Sequence, residues 1–513
     1  MTTHPNPPPD APASVTPSLH QTHPLEKWLQ KDWVRFLVRH LAAERPGRAE
    51  PHLLRALRSY ANPDATRSDR LLYAPIHFAI DRLRGEVSRE TLRAKLAGHP
   101  PTLRGIIATA RSVAHFGLTT PQRWLHPLFI VWNFTHRCNL RCRHCYQSST
   151  ANMAENELTL DEKLRLVDEF ARHYLAMIAF AGGEPTLSDD LIPVIARCRE
   201  HGIHTSLATH GGTLTGELCR RLADVGLNYV EVSLDSVDPE RHDRFRGVPG
   251  SWKRSVQGLR NVIATKGLRA GVAMCVTREN LHEVEDMIRF AIDLGASCFA
   301  HFNFIPVGRG AEQAHLDLSP EQREGLLHLL YRHMNERKIG IISTAPQFGR
   351  ICLTQPDVDG LVSCSHAGNA AGAKARVVAK YLGGCGAGRT YLCLQPNGDL
   401  TPCVYMPDRT MGNLRERSLT DIFQNSPWWD LFCDRDERQG YCGECEYRLY
   451  CGGCRARADA YFNRLDHADP GCPRNEEHWR RLCSHGQDAA QGNGQRHDLT
   501  GSPRPCSIDA PRH

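Results

Sequence analysis

The sequence lacks the long apolar runs of a membrane protein and the strong charge of a nucleic-acid-binding protein. No stretch approaches the roughly 18 consecutive apolar residues of a membrane-spanning helix, and the Pro-rich, polar N-terminus shows no apolar secretory segment. The net charge is only +6 over 513 residues, and no basic block recurs with interleaved aromatic residues. We therefore expect a cytoplasmic protein without a membrane span and without a nucleic-acid partner.

Cysteine, in contrast, is abundant, with 20 residues. Disulfides are rare in a reducing cytoplasm, so clustered cysteines indicate metal ligands. Three cysteines lie within residues 138–145, and nine lie between Cys385 and Cys472. Others occur singly and are typical of small buried side chains rather than ligands. These single cysteines are Cys198, Cys219, Cys275, Cys298, Cys352 and Cys364.

Changes in composition and periodicity divide the chain into six segments. The two ends are polar and typical of disorder, and apolar residues recur at helical spacing from Trp28 onward. The predicted segments are a disordered tail at 1–24, a helical N-terminal domain at 25–125, an α/β core at 126–345, a linker at 346–384, a cysteine-rich domain at 385–483 and a disordered tail at 484–513.

In the core segment, short apolar runs alternate with amphipathic stretches. The runs predict strands at 128–134, 177–181, 204–209, 229–234, 271–276 and 299–305. Six strand–helix repeats predict an α/β fold with a parallel, barrel-like sheet. Ligands of such sheets bind at the C-terminal ends of the strands. The motifs described next all follow predicted strand ends.

The most informative motif is Thr-His-Arg-Cys-Asn-Leu-Arg-Cys-Arg-His-Cys-Tyr, which carries Cys138, Cys142 and Cys145 directly after the first strand. A 4Fe–4S cluster is normally held by four thiolates, so three leave one iron without a protein ligand. Such an open position is typical of a reactive metal site. The alternative is a zinc site in which His136 or His144 supplies the fourth ligand.

Polar motifs end three further strands. Gly182-Gly183-Glu184-Pro185 combines a close backbone approach with a carboxylate that can accept hydrogen bonds from an ammonium group. Ser233-Leu234-Asp235-Ser236 offers hydroxyls and a carboxylate that suit ribose, although Asp235 could instead cap the next helix. Arg309 follows the sixth strand and is either an anion contact or an ordinary surface arginine.

With this spacing, followed by Tyr146, the cysteine loop resembles the radical S-adenosylmethionine (SAM) superfamily. The resemblance implies a partial (β/α)6 TIM-like barrel and reductive cleavage of SAM to a 5′-deoxyadenosyl radical, with electrons from a flavodoxin or ferredoxin. It also implies the ligands and contacts of the site. These are a 4Fe–4S cluster on Cys138, Cys142 and Cys145, and SAM contacts from Gly182, Gly183, Glu184, Ser233 and Asp235. Many relatives have Thr-Asn-Gly where this chain has Thr209-His210-Gly211.

The C-terminal cysteines resemble the SPASM extension of radical SAM enzymes, which holds two auxiliary 4Fe–4S clusters. The family pattern assigns Cys385, Cys393, Cys403 and Cys454 to one cluster, and Cys442, Cys445, Cys451 and Cys472 to the other. Only Gly452 and Gly453 separate the last two cysteines of the compact group, where many relatives have three residues, and Cys433 is left over. The alternative is a four-thiolate zinc knuckle within residues 442–454.

The segments around these cysteines are similar to the haem-synthesis branch of the superfamily. This resemblance implies oxidation of a cofactor precursor, with a tetrapyrrole propionate losing carbon dioxide as the model reaction. A peptide maturase shares both cysteine arrays and is the first alternative. A non-catalytic Fe–S electron carrier is the second. No residue in the sequence identifies a tetrapyrrole pocket. The sequence therefore leaves two substrate classes open, a small molecule and a peptide.

Overall fold

A computed structural model of the protein describes residues 24–44, 50–62, 64–84, 87–355, 362–363, 369–370, 373–477 and 480. Apart from residue 24, the predicted tails at 1–24 and 484–513 lie outside these ranges. Within them, no helix combines the length and apolar character needed to cross a bilayer.

The N-terminal segment is helical, as predicted. Its helices are α1 (Pro24–Leu29), α2 (Asp32–Ala42), α3 (His52–Ala61), α4 (Arg67–Leu72), α5 (Ala74–Leu83), α6 (Arg89–Gly98) and α7 (Pro100–Phe116). A small apolar core that includes Leu57, Tyr60 and Ile107 joins α3, α6 and α7. The Arg104 guanidinium on α7 donates to the carbonyl oxygens of Leu175 and Ala171 at 2.7 Å and therefore ties this segment to the α/β core.

The core segment alternates strands and helices. The strands are β1 (Phe129–Thr135), β2 (Met177–Gly182), β3 (His204–Thr209), β4 (Tyr229–Ser233), β5 (Arg269–Val276), β6 (Cys298–Asn303) and β7 (Gly340–Ser343). The helices are α8 (Leu160–Arg172), α9 (Leu191–Glu200), α10 (Gly216–Asp224), α11 (Pro239–Arg246), α12 (Ser251–Ala264), α13 (Val284–Leu294) and α14 (Pro320–Glu336). All six predicted strands are confirmed, and every neighbouring pair from β1 to β7 is parallel.

The predicted linker contains regular structure where it is described. It includes α15 (Gln347–Thr354), the two-residue strands β8 (Val362–Ser363) and β9 (Asn369–Ala370), and α16 (Ala373–Leu382). Helix α15 is almost wholly buried, and Phe348 and Ile351 join the main core. Its short length and small residues gave no clear helical period in the sequence.

The cysteine-rich segment extends the core sheet. Its elements are β10 (Tyr391–Leu394), β11 (Asp399–Thr401), β12 (Gly412–Asn413), α17 (Leu419–Gln424), α18 (Trp429–Cys433), α19 (Tyr441–Glu444) and α20 (Arg455–Phe462). Strand β10 pairs parallel to β1, so the sheet order is β12-β11-β10-β1-β2-β3-β4-β5-β6-β7. The sheet is open rather than closed, in agreement with the partial barrel predicted.

A buried arginine joins the cysteine-rich segment to the carboxyl end of the core sheet. Arg457 on α20 donates to the Asn303 side-chain oxygen at 2.9 Å and to the Phe304 carbonyl at 3.1 Å. Its Nε atom also lies 3.3 Å from the Asp317 carboxylate, which accepts a second buried contact from Arg323 at 2.6 Å. Because these groups are removed from water and partnered, they hold the two segments in one arrangement around the site.

Candidate active site

The cysteine loop follows β1 and is fixed by backbone hydrogen bonds. The Cys138 amide donates to the Thr150 carbonyl at 2.6 Å, and the Arg141 amide donates to the Arg246 carbonyl at 3.1 Å. The Arg309 guanidinium donates to the carbonyl oxygens of Cys142 at 3.1 Å and Ser149 at 2.7 Å. Two donor groups of Arg309 therefore hold the loop, a role that the sequence did not indicate.

Glycines that follow two of the core strands, β2 and β6, allow the loop to pack closely. A Cβ atom at Gly183 would lie 2.2 Å from the Arg137 carbonyl oxygen. Gly308 has φ of +57°, and a Cβ atom there would lie 2.4 Å from the Tyr146 carbonyl oxygen. Side chains cannot be accommodated at such distances, so glycine is required where these two backbones meet the loop.

One cavity of about 330 Å³ lies at the carboxyl ends of the strands. Its wall includes all three cysteines of the loop and three of the predicted SAM contacts. The wall residues in question are Cys138, Cys142, Cys145, Gly182, Gly183 and Ser233. Glu184 and Asp235, also predicted as SAM contacts, do not line it. The structure therefore brings together a triad of thiols, a glycine turn and a hydroxyl. They lie at the C-terminal ends of the strands, where ligands of parallel sheets bind.

Glu184 lies behind the wall, where its carboxylate is fully engaged. Oε1 accepts hydrogen bonds from the hydroxyls of Thr186 at 2.6 Å and Thr209 at 2.8 Å. Oε2 accepts from the His210 amide at 2.9 Å and lies 3.2 Å from its Nε2 atom. Glu184 thus joins the ends of β2 and β3. A direct contact between its side chain and an ammonium group stays a prediction.

His210 occupies the cavity wall in place of the asparagine of many relatives. Its Nδ1 atom accepts from the Gly212 amide at 2.9 Å, so Nε2 carries the proton that is donated to Asn139 Oδ1 at 2.7 Å. Burial lowers the pKa of His210 although Glu184 opposes this shift. The neutral ring therefore connects Glu184, and with it the ends of β2 and β3, to Asn139 of the cysteine loop.

Asp235 has two protein partners that the sequence did not indicate. It is 1% exposed and accepts from Arg246 Nε at 2.6 Å and from the Cys275 amide at 2.9 Å. Burial alone would raise the pKa of Asp235, but Arg246 overcomes this effect and holds the pKa below its usual value. Arg246 Nη1 in turn lies 3.8 Å from Cys142 Sγ. Asp235 therefore orients an arginine toward the cysteine triad, and its contact with ribose stays a prediction.

The chemistry of the triad fits a cluster better than a single ion. Among the described residues, no group of three His, Cys, Asp or Glu side chains converges closely enough to hold one metal ion. Four thiolates around one zinc would lie only about 4 Å apart, given Zn–S distances of about 2.3 Å. His144, a candidate zinc ligand, instead stacks on Phe245 with ring centroids 4.3 Å apart. The zinc alternative is therefore not supported.

The buried cysteines are deprotonated only if positive charge lies nearby. Burial raises the pKa of Cys138 and of Cys403 to about 12. A bound metal reverses this preference, because a coordinating thiol is deprotonated outright. Without a bound metal these two side chains are therefore neutral thiols rather than free thiolates.

The first auxiliary set reaches the same cavity. Cys385, Cys403 and Cys454 lie in its wall. Cys393 lies on β10 beside them but not in the wall, and Gln395 Nε2 is 3.5 Å from its Sγ atom. The Tyr391 hydroxyl donates to Cys403 Sγ at 2.7 Å.

The second auxiliary set lines a separate, smaller cavity. Its wall contains all four cysteines that the family pattern assigns to the second cluster, namely Cys442, Cys445, Cys451 and Cys472. Cys454 is absent from this wall and lines the main cavity instead, so the four cysteines of residues 442–454 do not all face one cavity. Cys433 is buried in α18 and lies in neither wall.

Two cavity residues were missed at the level of sequence. Cys275 was predicted to be an inert single cysteine, but it lines the main cavity on β5. Glu231 lies on β4 and faces the barrel interior, where the Tyr229 hydroxyl is 3.4 Å from its Oε2 atom. Alternation along β4 places Glu231 on the same face as Ser233, which is the signal that could have identified it.

Glu231 should make stability depend on pH. Burial raises its pKa to about 7, although the Tyr229 hydroxyl opposes the shift. The folded protein then binds more protons than the unfolded chain between about pH 4.5 and pH 7, so this group's contribution to stability falls as pH rises through that window. We expect Glu231→Gln to remove the decline, measured as unfolding temperature at several pH values. An unchanged pH slope in the variant would contradict the assignment.

Comparisons with known proteins agree with this geometry. Residues 132–291 match the model of the radical SAM superfamily, and residues 385–446 match that of the SPASM iron–sulfur cluster-binding domain. The AdoMet-dependent haem synthase of Methanosarcina barkeri is 33% identical over 348 residues, which cover 67% of this chain and 96% of that protein. The mycofactocin maturase MftC of Mycobacterium ulcerans is 29% identical, covering 67% of this chain and 88% of that protein.

A solved structure shares the fold. Streptococcus suis SuiB bound to S-adenosylmethionine superposes with a TM-score of 0.58 at 15% identity, covering 82% of this chain and 91% of that one. The chain therefore belongs to the radical SAM superfamily, in its SPASM-containing, haem-synthase-like branch, and is an enzyme that uses 4Fe–4S clusters and S-adenosylmethionine.

Proposed function

We propose that the enzyme oxidises a substrate held between the SAM-binding cluster and the first auxiliary cluster. The observation that carries this proposal is the shared cavity, whose wall contains both Cys142 of the loop and Cys403 and Cys454 of the auxiliary set. Much of the remaining wall is apolar, including Phe129 and Phe302. A radical source and an electron acceptor at one apolar cavity suit an oxidative reaction that excludes water.

In the proposed site, Cys138, Cys142 and Cys145 hold the SAM-binding cluster, and Gly182, Gly183 and Ser233 contact SAM. When bound there, the cluster and SAM would supply a 5′-deoxyadenosyl radical able to abstract hydrogen from an unactivated C–H bond. Arg309 keeps the loop in place through the Cys142 carbonyl. The apolar wall positions the substrate and shields it from solvent.

We propose a tetrapyrrole propionate as the substrate group. The relatives support this choice, since a protein named AdoMet-dependent haem synthase is 33% identical to this chain. The side chain would lose a hydrogen atom from the carbon attached to the ring. It would then release carbon dioxide and one electron to leave a vinyl group. The set at Cys385, Cys393, Cys403 and Cys454 would receive that electron.

The decisive experiment is anaerobic incubation of the reconstituted protein with SAM, a low-potential reductant and propionate-bearing tetrapyrroles, with and without iron. Mass spectrometry should show loss of carbon dioxide and two hydrogen atoms per converted side chain, coupled to 5′-deoxyadenosine. We expect Cys454→Ala to retain SAM cleavage but to lose the decarboxylated product, because the electron has no acceptor.

A peptide substrate is the second candidate, favoured by the 29% identity to a mycofactocin maturase. It would be indicated if tetrapyrroles left 5′-deoxyadenosine formation unchanged while a short peptide from the same cells stimulated it.

Product formation by the Cys454→Ala variant at the parent rate would contradict the role of the first auxiliary set.

A further inference from the structure

Four arginines of the cysteine-rich segment are buried without a carboxylate partner. One is Arg389, and the other three, which lie beside the link between the auxiliary sets, are Arg435, Arg438 and Arg455. Arg435 and Arg455 are at most 1% exposed, and Arg438 is 6% exposed. Arg435 donates to the carbonyl oxygens of Arg448 and Leu449, and Arg455 donates to those of Leu465 and His467. Arg438 donates to the Gly452 carbonyl. Within the described part of the chain, no ion pair joins any of the three to an acidic side chain.

These three guanidiniums surround the segment that connects the two auxiliary sets. Cys451 belongs to the second set and Cys454 to the first, with Gly452 and Gly453 between them. A Cβ atom on Gly452 would lie 2.7 Å from Arg438 Nη1 and 3.0 Å from Arg435 Nε.

The next glycine meets the third guanidinium. A Cβ atom on Gly453 would lie 2.6 Å from Arg455 Nη2 and 3.1 Å from Cys442 Sγ. Both glycines have positive φ, at +68° and +64°. The shortened Cys-Gly-Gly-Cys spacing therefore gives the arginines room to approach both sets.

The arginines also retain unused donors. The Nε atoms of all three, and Nη2 of Arg455, are buried and have no hydrogen-bond partner in the structure. A buried cation without a counter-charge is strongly unfavourable. The nearby carboxylate of Asp469 does not supply one, because it accepts from Gln347 Nε2 at 2.5 Å and from the Cys454 amide at 2.7 Å and lies 3.7 Å from Arg457.

Thiolate-ligated clusters would provide the missing negative charge. A 4Fe–4S cluster held by four thiolates is anionic and becomes more negative on reduction. Its reduction potential depends on net charge and on hydrogen bonds to its sulfurs. Fixed cations beside it favour the reduced form. Cations placed between two clusters act on both.

We propose that Arg435, Arg438 and Arg455, here called the arginine bridge, raise the reduction potentials of both auxiliary clusters. The bridge makes the pair better electron acceptors and compensates their charge inside the protein. Arg435 Nη2 lies 3.4 Å from the carbonyl oxygen of Cys385, a member of the first set. The Arg435 guanidinium and the Cys451 carbonyl of the second set both lie beside Gly384, so Arg435 is close to both sets. The proposal concerns the clusters alone and does not depend on the identity of the substrate.

The test uses the full chain with Cys138, Cys142 and Cys145 replaced by alanine, so that only the auxiliary clusters contribute signals. After anaerobic reconstitution, potentiometric titration followed by electron paramagnetic resonance gives each midpoint potential. We expect Arg435→Gln and Arg438→Gln each to lower the reduced-to-oxidised ratio at fixed potential about tenfold, which is about 59 mV for a one-electron couple. Arg435→Lys should stay close to the parent, because it keeps the charge.

Arg409→Gln is the matched control. It removes the same charge from the same segment, but the Arg409 guanidinium pairs with Asp459 at 2.7 Å and is not among the groups nearest to Gly452 or Gly453. Parent potentials in the glutamine variants at full iron content would overturn the proposal, as would an equal shift in Arg435→Lys. If Arg435→Gln fails to load iron while Arg435→Lys loads it fully, the charge requirement is supported. If neither loads iron, the role is structural and the proposal fails.

Discussion

Replacing Cys142 with alanine is expected to reduce SAM cleavage to the level found without protein. Cys142 is one of three thiols of the loop at the cavity, and its Sγ atom lies 3.8 Å from Arg246 Nη1. A cluster already bound by only three thiolates has no spare ligand to lose. The measurement is 5′-deoxyadenosine formed by the anaerobically reconstituted variant, together with its iron content.

The iron content distinguishes loss of one cluster from general misfolding. We expect about a third of the iron to disappear, since two of three clusters have ligands elsewhere. Cys198→Ala is the control, because Cys198 is fully buried in the core on α9 and lies far along the chain from both cysteine arrays. A Cys142→Ala protein that still cleaved SAM at a substantial rate would show that the loop does not hold the reactive cluster.

Replacing Asp235 with asparagine is expected to destabilise the protein by about 3–5 kcal/mol. The substitution keeps the shape of the side chain but leaves the buried Arg246 without its ionic partner, and removing one member of a buried pair has a cost of this size. Urea unfolding of the anaerobically purified protein gives the change in the free energy of unfolding. Arg246 would also lose its fixed orientation toward Cys142.

Ser233→Ala supplies the comparison. Ser233 lies in the cavity wall, so we expect weaker SAM binding with little change in stability. The two variants thus separate an arginine-positioning carboxylate from a ligand contact. If Asp235→Asn kept full stability and only weakened SAM binding, the ribose contact predicted from the sequence would be correct and the role inferred from the structure would be wrong.

The confirmed sequence predictions depended on local patterns. Cysteine spacing identified the loop at Cys138, because neighbouring ligands must lie on one short turn. Apolar runs located the six predicted strands, but β7 was missed because Gly340–Ser343 has only four residues. The strand at Tyr391–Leu394 was missed as well, because its pairing partner β1 lies more than 250 residues earlier in the chain. Short elements depend on tertiary pairing rather than on their own pattern.

The side-chain partners could not be predicted in the same way. Glu184 was predicted as a ligand contact, and only the structure shows that its carboxylate accepts hydrogen bonds from Thr186, Thr209 and His210. The shortened Gly452–Gly453 spacing was visible as a departure from the family pattern. Its relation to the arginines became visible only when segments from residues 435 to 455 were placed in space.

The amino-acid sequence alone therefore indicated the chemistry: which thiols are candidate iron ligands, where the strands end and to which superfamily the chain belongs. Cysteine spacing and strand periodicity are local properties, so they can be recognised without knowing how the chain packs. Only the tertiary structure decided that the cysteine loop and the first auxiliary set reach one cavity, that Asp235 pairs with Arg246, and that three guanidiniums lie between the auxiliary sets. These arrangements depend on contacts between residues distant in the chain, such as Arg246 with Cys142, and burial sets their charges and partners.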